Sequence, residues 1–144
     1  MRYWDTSAIA PLAVEEPGSQ VARQWLAEDP QMVTWSWTRV ELTSAVERRV
    51  REGRLTRTQR RQLLQRFAEL TTAWDEVTDV LAVRSLALPL LARHPLRAAD
   101  AAQLGAALLT AESDPASLTF VCLDCALAGA AEREGLDVLS WPAE

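Results

Sequence analysis

The segment Leu118–Leu123 has the length of a β-strand, carries no charge and has no polar face. A strand of this kind is typical of a parallel sheet that helices cover on both sides. Strand-like segments alternate with helical patterns along the rest of the chain. The predicted strands are Arg2–Asp5, Met32–Trp35, Trp74–Thr78, Leu118–Leu123 and Asp137–Trp141. The alternation predicts an α/β fold of three layers, α/β/α, around a mostly parallel sheet of four to five strands.

Capping residues and breakers predict where the helices begin and end. The predicted capping residues are Ser19, Ser36, Thr56, Asp79 and Asp124, and Thr6 or Ser7 is expected to open the first helix. Gly53 and Gly135 follow predicted helix ends, and Pro89 is expected to kink or loosen the helix that contains it. The two helices between Ser36 and Trp74 are expected to form a hairpin arm, in which the apolar stripe of the second helix faces inward.

With 144 residues, the chain has the size of one domain, which we expect to span residues 1–144. The longest uncharged run, Ala101–Ala111, is much shorter than the roughly 20 residues that cross a bilayer. Asp5, Glu15 and Glu16 interrupt any apolar region of a signal peptide near the N-terminus. We therefore expect a cytoplasmic protein that has no contact with membranes.

Cys122 and Cys125 form a C-x2-C pair, and His94 is the one histidine. A structural zinc site needs four ligands, which this set does not supply. A redox pair at the start of a helix is the other possibility, but Asp124 between the cysteines disfavours a thiolate. We interpret the two cysteines as ordinary, partly buried side chains.

The positive charge is concentrated in one stretch of a chain whose net charge is −5. Residues 48–66 contain eight Arg and one Glu, so this window carries +7 while the remainder carries −12. Arg binds phosphate through a planar, bidentate fork, so the stretch is a candidate nucleic-acid surface. A solvated helix face and a surface for an acidic protein partner remain the alternatives.

Four acids stand beside predicted element ends: Asp5, Glu41, Asp100 and Asp124. Asp5 ends the first strand and Asp124 follows the apolar strand, so both face the carboxyl edge of the sheet, where ligands bind. Asp100 lies in the first turn of its helix, and Glu41 is expected about one and a half turns into its own helix.

Each acid also has a plainer interpretation. Asp5 and Asp124 could cap the helices that follow them, Asp100 could complement a helix dipole, and Glu41 could lie on the surface. Taken together, however, several of these carboxylates have apolar neighbours in sequence, and the chain contains no Lys. A buried carboxylate needs a partner or a metal ion, so the set favours a divalent-cation site.

The chain resembles PIN-domain ribonucleases, and within them the VapC toxins of type II toxin–antitoxin systems. The residues that carry the resemblance are 3–8 (YWDTSA), 40–42 (VEL), 96–104 (LRAADAAQL) and 124–128 (DCALA), the last leading to 134–136 (EGL). It implies that Asp5, Glu41, Asp100 and Asp124 hold one or two Mg²⁺ (or Mn²⁺) ions and catalyse RNA hydrolysis by metal-activated water. Two positions depart from the family pattern: Cys122 stands where Thr or Ser is common, and Gln103 where His is frequent.

The resemblance also implies partners: an RNA substrate, a small antitoxin protein and a second copy of the chain in a homodimer. Ser7 matches a hydroxyl position beside the metal. The residues expected to bind substrate are Ser7, Arg48, Arg49, Arg57, Arg60 and Arg61. Trp35 and Trp37, at the base of the arm, are expected to border a docking groove. The alternatives are a housekeeping PIN nuclease of RNA processing and a non-catalytic binding module with the same fold.

Overall fold

The computed structural model describes residues 1–141. Five strands form one sheet: β1 (Arg2–Trp4), β2 (Met32–Trp35), β3 (Trp74–Val77), β4 (Thr119–Val121) and β5 (Asp137–Leu139). Seven α-helices lie between and beside them: α1 (Thr6–Ala13), α2 (Ser19–Glu28), α3 (Thr38–Arg51), α4 (Arg57–Thr71), α5 (Val80–Arg93), α6 (Ala98–Ala111) and α7 (Cys125–Arg133). The predicted three-layer α/β/α fold is confirmed.

Every strand pair in the sheet is parallel, and the strand order is β3-β2-β1-β4-β5. The chain moves outward from β1 through β2 to β3 and then crosses to β4 on the other side of β1. The order therefore reverses between β1 and β4, where Trp4 pairs in register with Val121. In open parallel sheets, ligands bind outside the carboxyl ends of the strands at such a reversal.

Side chains alternate between two apolar cores on the two faces of the sheet. Tyr3 and Phe120 point to one core, where their rings stack with centroids 5.5 Å apart beneath α5, α6 and α7. Trp4 and Val121 point to the other core, which α1 to α4 cover. Because successive strand residues face opposite layers, both faces of β1 and β4 are apolar, as a doubly covered sheet requires.

The α3–α4 hairpin is confirmed and forms part of the helical layer. Leu42 and Val46 of α3 and Leu63 and Phe67 of α4 are buried in the second core. Thr56 caps α4 through a reciprocal pair of hydrogen bonds with Gln59. The tip between the helices is exposed and turns at Gly53, whose φ of 71° favours glycine.

Three local predictions were wrong. Ser36 does not cap α3: its N–H donates to the Val77 carbonyl across the sheet, so α3 begins at Thr38 with Trp37 at the cap position. Ser19 does not cap α2 either. Its buried hydroxyl donates to the Val14 carbonyl and closes the preceding loop, and Gly18 takes the cap position.

The third correction concerns Glu41. Because α3 starts one residue later than predicted, Glu41 lies in its first turn and not one and a half turns into the helix. This brings the carboxylate nearer to the carboxyl edge of the sheet. Pro89 lies inside α5 and does not end it, because the helix continues to Arg93.

Helices α5 and α6 lie close together at Gly105. A Cβ atom added there would lie 3.0 Å from the Val83 carbonyl oxygen, so the close contact favours glycine. The pairing fixes α6, the helix that carries Asp100 and Gln103, against its neighbour. Among residues 1–141, no helix is long and apolar enough to cross a membrane.

Candidate active site

The four predicted acids lie at the N-terminal ends of four helices. Asp5 and Asp124 are the N-cap residues of α1 and α7, and Glu41 and Asp100 lie in the first turns of α3 and α6. Asp5 follows β1, and Asp124 lies three residues after the end of neighbouring β4. Parallel topology therefore brings Asp5 and Asp124 to the edge where the strand order reverses.

Asp5 is the most buried of the four, with 5% of its surface exposed. Its Oδ2 accepts hydrogen bonds from the Ser7 N–H at 3.0 Å and from the Ser7 hydroxyl at 2.6 Å. The Ser7 hydroxyl in turn accepts from the Leu123 N–H at 3.0 Å, which ties the loop after β4 to the loop after β1. Ser7 thus fixes one oxygen of Asp5.

Glu41 is half-buried and is held by donors from two other helices. Its Oε2 accepts hydrogen bonds from the Thr6 hydroxyl of α1 and, at 2.9 Å, from Gln103 Nε2 of α6. Both helices begin at the same edge of the sheet. The carboxylate therefore has a defined position between α1, α3 and α6.

Asp100 and Asp124 use one oxygen each to satisfy the ends of their own helices. Asp100 Oδ2 accepts from the Arg97 N–H at 3.3 Å, and Asp124 Oδ1 accepts from the Leu127 N–H at 2.9 Å. The predicted capping roles of Asp5 and Asp124 are confirmed. Capping does not exclude a second role, because each carboxylate keeps its other oxygen.

Burial raises the pKa of Asp5 to about 6. The hydrogen bonds from Ser7 act to lower this pKa, and the negative charges of Glu41 and Asp100 act to raise it further. The pKa of Glu41 and that of Asp100 are also raised, again mainly by burial. Asp124 contributes to the raised pKa of Asp100. The four carboxylates are thus close enough to repel one another, and among residues 1–141 none of them forms an ion pair.

In each of the four carboxylates, one oxygen has no protein hydrogen-bond partner among the described residues. Between residues 1 and 141, Trp4 Nε1 is the one side-chain nitrogen or oxygen that is both fully buried and without a hydrogen-bond partner. The unpaired oxygens of Asp5, Glu41 and Asp100 are therefore not fully buried and reach solvent. Asp124 is itself exposed. The edge of the sheet therefore carries four hard oxygen donors, mutually repelling and without a counter-ion.

Direct coordination by several of these groups at once is not seen. Within the described part of the chain, no three acidic, His or Cys side chains are placed to hold one ion together. Mg²⁺ keeps several waters and is typically bound through only one or two carboxylates. The chemistry of the donor set fits an ion of this kind, which one or two of the carboxylates would hold.

A hydrogen-bond network beneath the acids was not predicted from sequence. Gln103 is 1% exposed; its Oε1 accepts from the Tyr3 hydroxyl at 2.7 Å, and its Nε2 faces the Glu41 carboxylate. Thr38 and Thr34 continue the network to the carbonyl of Trp4. The partners are far apart in sequence, so the one available signal was a polar residue at an apolar position of α6.

The two cysteines have different surroundings. Cys122 is buried and Cys125 exposed, and both are free thiols. Burial raises the pKa of Cys122, so this residue is a neutral thiol and not a nucleophile or a metal ligand. His94 lies elsewhere, hydrogen-bonded to Glu134 at 2.7 Å. The arrangement agrees with our interpretation of the cysteines as ordinary side chains.

The arginines expected to bind substrate fall into two groups. Arg49 pairs with Glu16 at 2.8 Å and Arg60 with Glu47 at 2.6 Å, so both brace the hairpin. Arg48, Arg57 and Arg61 are exposed and form no ion pair among residues 1–141. At about 1.5 Å per residue along α3, Arg48 lies roughly 10 Å from Glu41. Arg48 therefore lies about two helical turns beyond Glu41 along α3.

Arg97 and the groove beside α3 complete the surroundings of the site. Arg97 is the N-cap residue of α6, and its positive charge acts against the rise in the pKa of Asp100. An open groove of about 620 Å³ runs along the outer face of α3 past Arg39 and Val40. Trp35 is buried in the core, whereas Trp37 is 55% exposed.

Comparison with known proteins agrees with this architecture. A sequence model of the PIN domain matches residues 2–140. Among solved structures, a toxin–antitoxin complex from Klebsiella pneumoniae contains a similar chain: 15% identity, TM-score 0.65, 96% of each chain covered. PAE2754 from Pyrobaculum aerophilum is similar as well, at 19% identity and TM-score 0.62, over 97% of this chain and 89% of that one. The search of curated proteins by sequence finds no match.

These likenesses to solved structures concern the fold, while the match of the sequence model covers nearly the whole chain. It includes Asp5, Glu41, Asp100 and Asp124. The chain belongs to the PIN domain family, whose members are generally nucleases.

Proposed function

We propose that this protein is a metal-dependent endoribonuclease and the toxin of a type II toxin–antitoxin pair. The observation that carries the proposal is the set of four carboxylates at one edge of the sheet, each with one oxygen fixed by the protein and one left free. Repelling carboxylates without an ion pair are retained where they bind a cation. Because the chain belongs to a family of nucleases, the substrate proposed to bind at that cation is a phosphodiester.

The residues proposed to hold Mg²⁺ or Mn²⁺ are Asp5, Glu41, Asp100 and Asp124. A bound ion of this type lowers the pKa of its water and neutralises charge on the phosphate during hydrolysis. Ser7 keeps Asp5 in place, and the half-buried and exposed positions of Asp100 and Asp124 leave that side open to a polymer. Water from solvent then serves as the nucleophile, so no covalent intermediate on the protein is needed.

RNA is proposed to approach along the hairpin. Arg48, Arg57 and Arg61 are free to attract phosphates several nucleotides from the cut, while Arg97 is placed beside Asp100. Arg49 and Arg60 already bind carboxylates. Their contribution to RNA binding is therefore expected to be smaller than that of the three unpaired arginines.

An antitoxin is the proposed protein partner, as the resemblance to VapC toxins implies. The similar chain from Klebsiella pneumoniae is part of a toxin–antitoxin complex. Val40, which is 50% exposed, lines the groove along α3 together with Ser36 and Arg39, and Trp37, which is 55% exposed, is the N-cap residue of the same helix. Exposed aromatic residues are frequent anchors at interfaces. This groove is the proposed docking surface for the antitoxin.

A homodimer is also proposed, through the outer face of α5. Leu81, Leu88 and Leu91 lie on one side of that helix and are 63%, 62% and 43% exposed. Exposed leucines on one helix face favour contact with another apolar surface, and a second copy offers an identical one. Light scattering should show a dimer that Leu88→Glu converts to a monomer.

Incubation with structured RNA tests the enzymatic proposal. We expect the wild type to cut unpaired segments with Mg²⁺ or Mn²⁺, and to stop when EDTA is added. Asp5→Asn and Asp100→Asn should each be inactive although folded. Cleavage that persists in EDTA or in both variants contradicts the proposal.

Two other assignments share the fold. A housekeeping nuclease of RNA processing has the same site, and a neighbouring reading frame for a small DNA-binding protein favours the toxin over it. A non-catalytic binding module keeps the fold without metal. Calorimetry that shows no Mg²⁺ or Mn²⁺ binding up to millimolar concentration favours the binding module.

A further inference from the structure

We propose that Gln103 is a positioning residue: its buried side-chain amide, oriented by the Tyr3 hydroxyl, fixes the Glu41 carboxylate at the active site. The proposal rests on the metal-dependent activity proposed above. It concerns a residue at which this chain departs from the family pattern.

The hydrogen bonds of the network have a single consistent direction. The Thr34 hydroxyl donates to the Trp4 carbonyl at 2.7 Å, so it accepts from the Thr38 hydroxyl, also at 2.7 Å. With its proton used, Thr38 accepts from Gln103 Nε2 at 3.0 Å. The hydroxyls of Thr34 and Thr38 both point their protons away from Gln103, so the series is completed by a hydrogen-bond donor at position 103.

The orientation of the Gln103 amide is fixed from its other end. The Tyr3 hydroxyl donates to Oε1 at 2.7 Å, which leaves the NH₂ group to face Glu41 at 2.9 Å and Thr6 at 3.0 Å. If the amide were flipped, its oxygen would face the carboxylate oxygen of Glu41, and the two would repel each other. The Tyr3 hydroxyl and the acceptor-only Glu41 carboxylate together define the orientation in which Gln103 donates.

The donor acts on one oxygen of Glu41 and leaves the other free. Oε2 accepts from Gln103 and Thr6, whereas Oε1 has no partner among residues 1–141. Holding Oε2 between α1 and α6 limits the positions that Oε1 can take at the shared edge. Removing a partner that orients a ligating carboxylate typically lowers metal affinity or activity by 10- to 100-fold.

Gln103 itself does not contact substrate, because it is 1% exposed beneath the acids. Its loss should therefore lower kcat and metal affinity and leave the KM for RNA nearly unchanged. A residue that only supported packing would instead lower the fraction of folded protein and change neither quantity in what remained folded.

The test uses Mn²⁺ titration by calorimetry and cleavage kinetics on the full chain. Gln103→Met keeps the length and volume of the side chain but removes the donor. Tyr3→Phe removes one hydroxyl from a residue that is fully buried. Gln24→Leu is the control, since Gln24 is exposed on α2 and, among residues 1–141, its side chain bonds only to Glu28.

We expect Gln103→Met to weaken Mn²⁺ binding by about 10- to 100-fold and to lower kcat at saturating Mn²⁺. Tyr3→Phe should produce a smaller change in the same direction, and Gln24→Leu none. Wild-type Mn²⁺ affinity and kcat in folded Gln103→Met overturn the proposal while the enzymatic function stands. If the wild type neither binds Mn²⁺ nor cuts RNA, the proposed function fails, and the role of Gln103 fails with it.

Discussion

The thiol of Cys122 lies 3.7 Å from Asp5 Oδ2, although the two residues are 117 positions apart in the chain. Cys122 is paired with no other cysteine, and its sulfur also approaches the Ser7 hydroxyl at 3.6 Å and the Asp124 carbonyl at 3.4 Å. In sequence, Cys122 is a near neighbour of the fourth acid, Asp124. Its thiol contacts the carboxylate of the first acid, Asp5, and only the backbone carbonyl of Asp124.

Replacing this thiol by a hydroxyl should change the pKa of Asp5. A thiol is a weak donor, whereas a hydroxyl bond to a carboxylate contributes about 1.5 kcal/mol, or about one pH unit. In Cys122→Ser we expect the pKa of Asp5, about 6 in the wild type, to fall by about one unit. An NMR titration of the Asp5 carboxyl carbon measures it, with Cys122→Ala as the control without a donor. Equal pKa values in the two variants would mean that the new hydroxyl donates to the Asp124 carbonyl.

The raised pKa of Asp5 also predicts how stability depends on pH. In the unfolded chain the group titrates near 3.8, and in the folded protein near 6. Between these values the folded state holds a proton that the unfolded state has lost, so the free energy of unfolding falls as pH rises from about 3.8 to about 6. Above that range, ionised Asp5 costs up to about 3 kcal/mol.

Asp5→Asn removes this cost. In EDTA at pH 8 the variant should be more stable than the wild type by up to about 3 kcal/mol, and at pH 3 the difference should vanish. Urea unfolding at the two pH values measures both. Mg²⁺ should raise the melting temperature of the wild type and not that of Asp5→Asn, because the ion binds only the folded wild type. A stability difference that does not change with pH contradicts the assigned cause.

Local sequence patterns predicted the elements and the edge at which the acids lie, because strand ends and helix caps depend on neighbouring residues. They failed where a contact between residues far apart in the sequence determines the local structure. Ser36 looks like a cap, but its N–H is taken by Val77 of β3, so α3 starts later. The role of Gln103 depends on Tyr3, Thr6 and Thr38, which are 100, 97 and 65 positions away. No local pattern contains such partners.

Glu112, at the end of α6, is expected to be a strained position. Its φ of 56° with ψ of −121° lies in a region that glycine occupies readily and other residues rarely do. Glu112→Gly should raise the free energy of unfolding by about 1 kcal/mol, because the strain relieved exceeds the entropy that glycine loses. Thermal unfolding should show a rise of about 3 °C. Glu112→Ala keeps the Cβ atom and should show no such gain; equal melting points of the two variants would exclude strain as the cause.

The division of the arginines in the hairpin predicts two kinds of variant. Arg57→Ala and Arg61→Ala remove exposed, unpaired charges, so each should raise the KM for RNA and lower the slope of log affinity against log salt concentration by about 0.7. Arg49→Ala and Arg60→Ala break ion pairs with Glu16 and Glu47, so they should lower stability by up to about 1 kcal/mol and change the salt slope less. Arg23→Ala, on α2 and paired with Glu15, is the control that removes the same charge elsewhere. If Arg23→Ala changes the salt slope as much as Arg61→Ala does, net charge and not the hairpin attracts the RNA.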